Sequence, residues 1–180
     1  MEKCDFGKTS IKYLGFVITA SGIQTDKEKL EPISKFPVPM TAVKLKRFLG
    51  LCGWYKHFIP KYSELVESLN RLLCKNYKFK WDASHDNAFS SLKNAIKNAT
   101  TLAFPDFSKK FTLRTDSSDV GLGAVLSQTG VDGKEYPIAF ASRLLSRTES
   151  SYHATEKECL AILWALKKFE CYLDGQEFAL

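Results

Sequence analysis

Long apolar runs are missing from this 180-residue sequence. The longest wholly apolar stretch runs from Cys159 to Leu166, far short of the roughly 20 residues that cross a bilayer. The opening M-E-K-C-D-F-G-K has no apolar signal-peptide segment. Membrane insertion and secretion are therefore not expected. The five cysteines, at 4, 52, 74, 159 and 171, include no C-x-x-C pair, so neither a disulfide framework nor a zinc site is indicated. Cys159 and Cys171 fall in one helical pattern and sit about 18 Å apart along it, beyond any disulfide. Reduced, intracellular thiols follow. Internal repeats and low-complexity segments are also lacking.

What is present is a packable core and an uneven charge. Hydrophobic residues make up 44% and charged residues 26%, which suits a globular fold and argues against disorder. Residues 1–110 hold 19 Lys/Arg against 10 Asp/Glu, whereas 111–180 hold 7 against 10. A basic front suits a polyanion such as nucleic acid, or is simply a solvated surface. An acidic back can concentrate carboxylates for a metal.

The pattern along the front half is mostly helical. Residues 10–20 read as a strand, one arm of a hairpin. Asp26 opens a short helix that Pro37-Val38-Pro39 ends. Thr41 caps a helix over 42–58 with the stripe Leu45, Phe48, Leu49, Cys52, Tyr55 and Ile59. Gly50 and Gly53 lie inside it, each unfavourable by about 1 kcal/mol against Ala. Close helix packing or a backbone lying flat on a ligand would each explain them. After Pro60 a helix is expected over 62–74, an extended piece over 76–82, and an amphipathic helix from Ser84 to Ala99 with Ala88, Phe89, Leu92 and Ile96 inward.

The back half changes period. Three strands are expected, Phe111–Asp116, Leu122–Gln128 and Tyr136–Ser142. A long helix from Thr155 to Leu173 follows, ended at Gly175, and then Glu177–Leu180 as the start of a fourth strand, which suggests a fragment. Alternation puts Phe111, Leu113 and Thr115 on one face and Thr112, Arg114 and Asp116 on the other. Asp116 on a strand and Glu158 near a helix start are the carboxylates that a divalent metal would use. Thr155-x-x-Glu158 is also a capping-box pattern, and Asp116 or Asp119 can equally serve the Ser-rich bend.

Specific strings add to this reading. They are K-C-D-F at 3–6, Y-L-G-F-V-I at 13–18, L-K-R-F-L-G-L-C-G-W-Y-K-H-F-I-P at 45–60, R-T-D-S-S-D-V-G-L-G-A-V-L-S-Q at 114–128, P-I-A-F-A-S-R at 137–143 and Y-H-A-T-E-K-E-C-L-A-I-L-W-A-L-K-K-F at 152–169. In this order they resemble the polymerase–ribonuclease H junction of gypsy-type long-terminal-repeat retrotransposon polyproteins, continuously from residue 3 to 178. The resemblance implies an α+β chain. Residues 1–24 would end the polymerase palm, with the primer-grip hairpin at Tyr13, Leu14 and Gly15. Residues 25–75 would form thumb-like helices and 76–108 a connector. Residues 109–180 would form an incomplete ribonuclease-H-like α/β unit of three antiparallel strands, a long helix and the start of a fourth strand.

The same resemblance implies roles. Gly50 and Trp54 would face the minor groove of a template–primer duplex or RNA–DNA hybrid, with Lys46 and Arg47 on phosphates. A core aromatic is the other reading of Trp54. Asp116 and Glu158 would be catalytic carboxylates binding Mg²⁺ for cleavage of hybrid RNA. No Tyr-x-Asp-Asp string occurs, and the family's third acid is absent. Little or no activity is therefore expected of this chain by itself. A non-catalytic nucleic-acid-binding remnant and a scaffold or decayed product are the alternatives. The resemblance suggests a cytoplasmic or nuclear site of action and leaves the oligomeric state open.

Overall fold

The computed structural model describes residues 7–75 and 77–180. The K-C-D-F string at 3–6 and Asn76, the first residue of the expected extended piece, lie outside them. The architecture has two hydrophobic cores, one helical and one between a sheet and a helix.

The chain begins with an antiparallel meander of β1 (Ser10–Tyr13), β2 (Phe16–Thr19) and β3 (Gly22–Thr25). The expected single strand over 10–20 is thus two strands. Leu14 and Gly15 turn the chain with φ of 49° and 85°. Two successive left-handed residues give the twist that a two-residue hairpin needs, and only the glycine adopts this freely. Helix α1 (Lys27–Ser34) starts at Asp26, whose carboxylate accepts the Glu28 N–H at 3.0 Å.

Helix α2 spans Ala42–Gly53, with the Thr41 hydroxyl accepting the Lys44 N–H. It stops five residues short of the expected end. Past Gly53 the Tyr55 N–H bonds to Cys52 O, three residues back, and the chain tightens into a 3₁₀ turn at Lys56–Phe58. The expected helix over 62–74 is likewise divided, into α3 (Tyr62–Leu65) and α4 (Glu67–Arg71), with Val66 between them. Residues 78–81 form no strand. Helix α5 (Ala83–Lys97) turns Phe89, Leu92 and Ile96 inward against Phe48, as the spacing predicts.

The second unit is a four-stranded mixed sheet in the order β6-β5-β4-β7. Its strands are β4 (Phe111–Ser117), β5 (Gly121–Thr129), β6 (Glu135–Leu144) and β7 (Phe178–Ala179). The first three are antiparallel, and β7 runs parallel to β4, pairing Phe178 with Phe111. A register shift at Leu126/Ser127 accommodates Pro137 within β6. Helix α6 (Ala154–Lys168) packs Ala165 beneath Phe111, Leu113 and Leu126. It ends at Phe169, and the short α7 (Glu170–Leu173) completes the expected helical stretch.

The two units touch through β6, the 3₁₀ turn and α3. The Ser63 N–H donates to Ser142 Oγ at 2.9 Å, and Ser118 Oγ donates to Glu64 at 2.9 Å. The Ala103 N–H reaches Pro137 O, and Leu102 bridges to Ile23 of β3.

Candidate nucleic-acid interface and carboxylate end of the sheet

The tight turn after β1 leans against α2. Tyr13, Leu14, Gly15, Gly50 and Trp54 line one open groove of about 800 Å³ together with Lys29 and Leu51. Three segments far apart in sequence therefore meet at one surface. Trp54 is 55% exposed and is not a core aromatic. Its indole N–H donates to Leu14 O at 3.2 Å, and its ring stacks on Phe16 at 6.1 Å. The ring is thus held in place while one side stays open to solvent.

Gly50 has no atom within 4 Å of where a Cβ would stand. Close helix packing is thereby excluded as the reason for this mid-helix glycine. An alanine would fit and would favour the helix, so no contact within the chain explains this glycine.

Lys46 and Arg47 are exposed on α2 one turn before Gly50, but they do not line the groove. Both lysines of the groove, Lys29 and Lys12, escaped the sequence reading. Lys29 sits on the facing α1 helix, and nothing in its spacing marks it. Lys12 bonds Glu28 at 2.7 Å and lies 3.7 Å from Asp26. The Glu28 carboxylate beside it raises the Lys12 pKa. The two acids of this groove are thus largely answered by a cation of their own.

The carboxylate end of the sheet is arranged differently. Asp116 lies within β4, paired with Gly123, and not in the bend that follows. Its carboxylate is ion-paired with Lys61, and that contact raises the lysine's pKa. Glu158 lies in the second turn of α6 and accepts a hydrogen bond from Ser117 Oγ at 2.6 Å. It is not the helix cap. The α6 start is closed by Glu156, whose carboxylate accepts the His153 N–H at 2.8 Å, so the capping box begins two residues before Thr155.

Alternation along β4 turns Asp116 toward the Lys61 side and Ser117 toward α6. Adjacent residues thereby hand the two acids to different partners. Asp119 caps nothing in the bend. It stands 99% exposed and receives the Lys157 ammonium at 2.9 Å, which fixes the loop to α6 and lowers the Asp119 pKa.

Mg²⁺ prefers near-octahedral oxygen ligation and gives up water reluctantly. The residues present do not fit it. A lysine already answers Asp116, a hydroxyl answers Glu158, and no group of three or more His, Cys, Asp or Glu among the described residues is placed to hold a metal ion.

A mixed sheet of this order, backed by one long helix, is thus joined to a helical segment with an open groove. Residues 81–180 match the family described as the RNase H-like domain found in reverse transcriptase, and the chain belongs to that family. It is 41% identical, over 99% of its length, to the retrovirus-related Pol polyprotein from transposon 297 of Drosophila melanogaster. It is 36% identical, over 96%, to the transposon Tf2-3 polyprotein of Schizosaccharomyces pombe. The chain spans only 16% and 13% of those two polyproteins. In fold it is similar to the foamy viral protease–reverse transcriptase solved in complex with RNA/DNA hybrid. That likeness has a TM-score of 0.82 at 24% identity and covers 98% of this chain and 24% of the other.

Proposed function

We propose that this chain grips a nucleic-acid duplex for a retrotransposon reverse transcriptase. Its groove of Tyr13, Leu14, Gly15, Gly50 and Trp54 lies along the minor groove of a template–primer duplex or RNA–DNA hybrid. The observation that carries this reading is Gly50. It is a helical glycine with open space above it, flanked by a fixed, half-open indole and a hairpin turn. Bare backbone lets the helix approach sugar edges, while Trp54 and Leu51 slide along them by apolar contact. Lys46 and Arg47, one turn back on α2, supply sequence-independent attraction to phosphates.

Similarity to polyproteins of transposons supports the retrotransposon setting. So does the fold it shares with reverse transcriptases solved on RNA/DNA hybrid and on dsDNA.

In this reading Asp116 and Glu158 derive from a centre that cuts the RNA strand of a hybrid with Mg²⁺, and the chain by itself does not cut. The test supplies a labelled RNA–DNA hybrid and Mg²⁺ to the chain and to Asp116→Asn and Glu158→Gln. All three proteins bind the hybrid, and none releases RNA fragments above background. Metal-dependent cleavage that either substitution abolishes overturns the non-cutting half. Failure of the wild-type chain to bind any duplex overturns the gripping half.

A further inference from the structure

A second basic surface lies at the joint between the two units, lined by residues other than those of the groove. A cavity of about 180 Å³ opens where the 3₁₀ turn, β6 and α6 meet, and Lys56, His57, Ser142, Arg143, Trp164 and Lys168 help to line it. No Asp or Glu lines it.

The charges around the cavity are unevenly answered. Arg143 is already neutralised, holding Glu149 through two nitrogens at 2.7 and 2.8 Å while standing over the Trp164 ring. It forms a rigid wall. Lys56 and Lys168 have no ion pair among the described residues, yet both act on His57 between them. Burial, with these two ammonium groups nearby, lowers the His57 pKa despite its hydrogen bond to the Phe140 backbone. Ser142 Oγ accepts the Ser63 N–H, which leaves its own O–H free to donate outward. Two exposed cations without an ion pair among the described residues and a hydroxyl donor, around a cavity that no acid lines, suit an anion from outside the chain.

We propose that this cavity seats a backbone phosphate of a nucleic-acid strand, held by Lys56 and Lys168 with the Ser142 hydroxyl donating to one of its oxygens and His57 beside it. Lys56 belongs to the thumb-like unit and Lys168 to the ribonuclease-H-like unit, so a seated phosphate ties the two together. The proposal deepens the duplex-gripping function and rests on it for the identity of the strand.

The test uses the full chain and two probes. A labelled RNA–DNA hybrid is titrated over a salt series against wild type, Lys56→Gln/Lys168→Gln and Gly50→Glu. Loss of two phosphate contacts lowers the slope of log K against log salt by about 2. Affinity falls about tenfold and the melting temperature is unchanged, because both lysines are exposed. An unchanged slope and affinity in the double variant overturns the proposal, and it does so independently of Gly50→Glu, which reports on the groove alone.

Inorganic phosphate is the second probe, followed by the His57 imidazole resonance. It shifts that resonance in wild type, not in the double variant, and the hybrid displaces it. Phosphate that binds at His57 but is not displaced by the hybrid marks a site for a free oxyanion and overturns the assignment to a strand.

Discussion

The groove and the carboxylate end of the sheet were both readable as candidate sites, yet the fold treats them in opposite ways. At the groove it draws Tyr13, Leu14, Gly15, Gly50 and Trp54 to one surface and leaves that surface open. At the carboxylate end it divides two acids between a lysine and a serine. A binding surface can be built from backbone shape and one fixed ring. A metal centre needs several oxygens converging on a point, and two acids with other partners do not supply that. This contrast is what the proposal of a gripping role rests on.

The comparison would break if the two regions belonged to independently folding halves. Phe48 and Phe111 are both fully buried, one in each core. Phe48→Ala and Phe111→Ala are each expected to destabilise by about 3–5 kcal/mol. The contacts of Ser63, Ser118 and Ala103 across the joint predict a single unfolding transition in urea for either variant. Two transitions, with only one moved by each substitution, would show the halves to be separable.

A smaller effect sharpens the contrast at the groove. Gly50→Ala is expected to stabilise the fold by about 1 kcal/mol, since the helix gains propensity and nothing crowds the methyl. The same change weakens hybrid binding several-fold. Opposite signs in a urea melt and a binding titration identify a glycine kept for a ligand. A loss of stability would mean that the space above Gly50 is filled.

Acid sensitivity is expected in both units, with the smallest effect. Asp82 caps α5 and is held down at about 2, chiefly by the Ser84 hydroxyl and then by His85. Glu149 is held at about 2 by Arg143 and the Ser146 N–H. Both lie below the ordinary carboxylate value. Their contributions are therefore complete above about pH 4.5 and fade as pH falls toward about 2. Urea melts across that window should flatten in Asp82→Asn and in Glu149→Gln. A pH dependence identical to wild type would mean that these pairs do not hold in solution.

Much of the fold was legible because its signals are local. The Phe89, Leu92 and Ile96 spacing, the Asp26 and Thr41 caps, and the alternation from Phe111 to Asp116 are written within a few residues. The failures arise where neighbours in space decide. A Leu-Gly pair does not advertise a left-handed turn, so β1 and β2 read as one strand. Gly53 ends α2 because the chain tightens into a 3₁₀ turn that packs on β6. Glu156, two residues before Glu158, took the cap because α6 begins two residues earlier than the Thr155 pattern implies. At the sites, the types Trp54 and Asp116 were readable, and Gly50 stood out as a glycine without a local purpose. The lysine that answers Asp116 was not readable, because Lys61 reaches it only once the two units dock.

Hybrid binding by Gly50→Glu tests the central claim most directly. The side chain has open space to enter, so the fold and its melting temperature should be unchanged. A carboxylate placed on the groove floor should repel the duplex and lower affinity at least tenfold at moderate salt, which is about 1.4 kcal/mol. Wild-type affinity in a fully folded Gly50→Glu protein would contradict the account, because the duplex would then lie elsewhere.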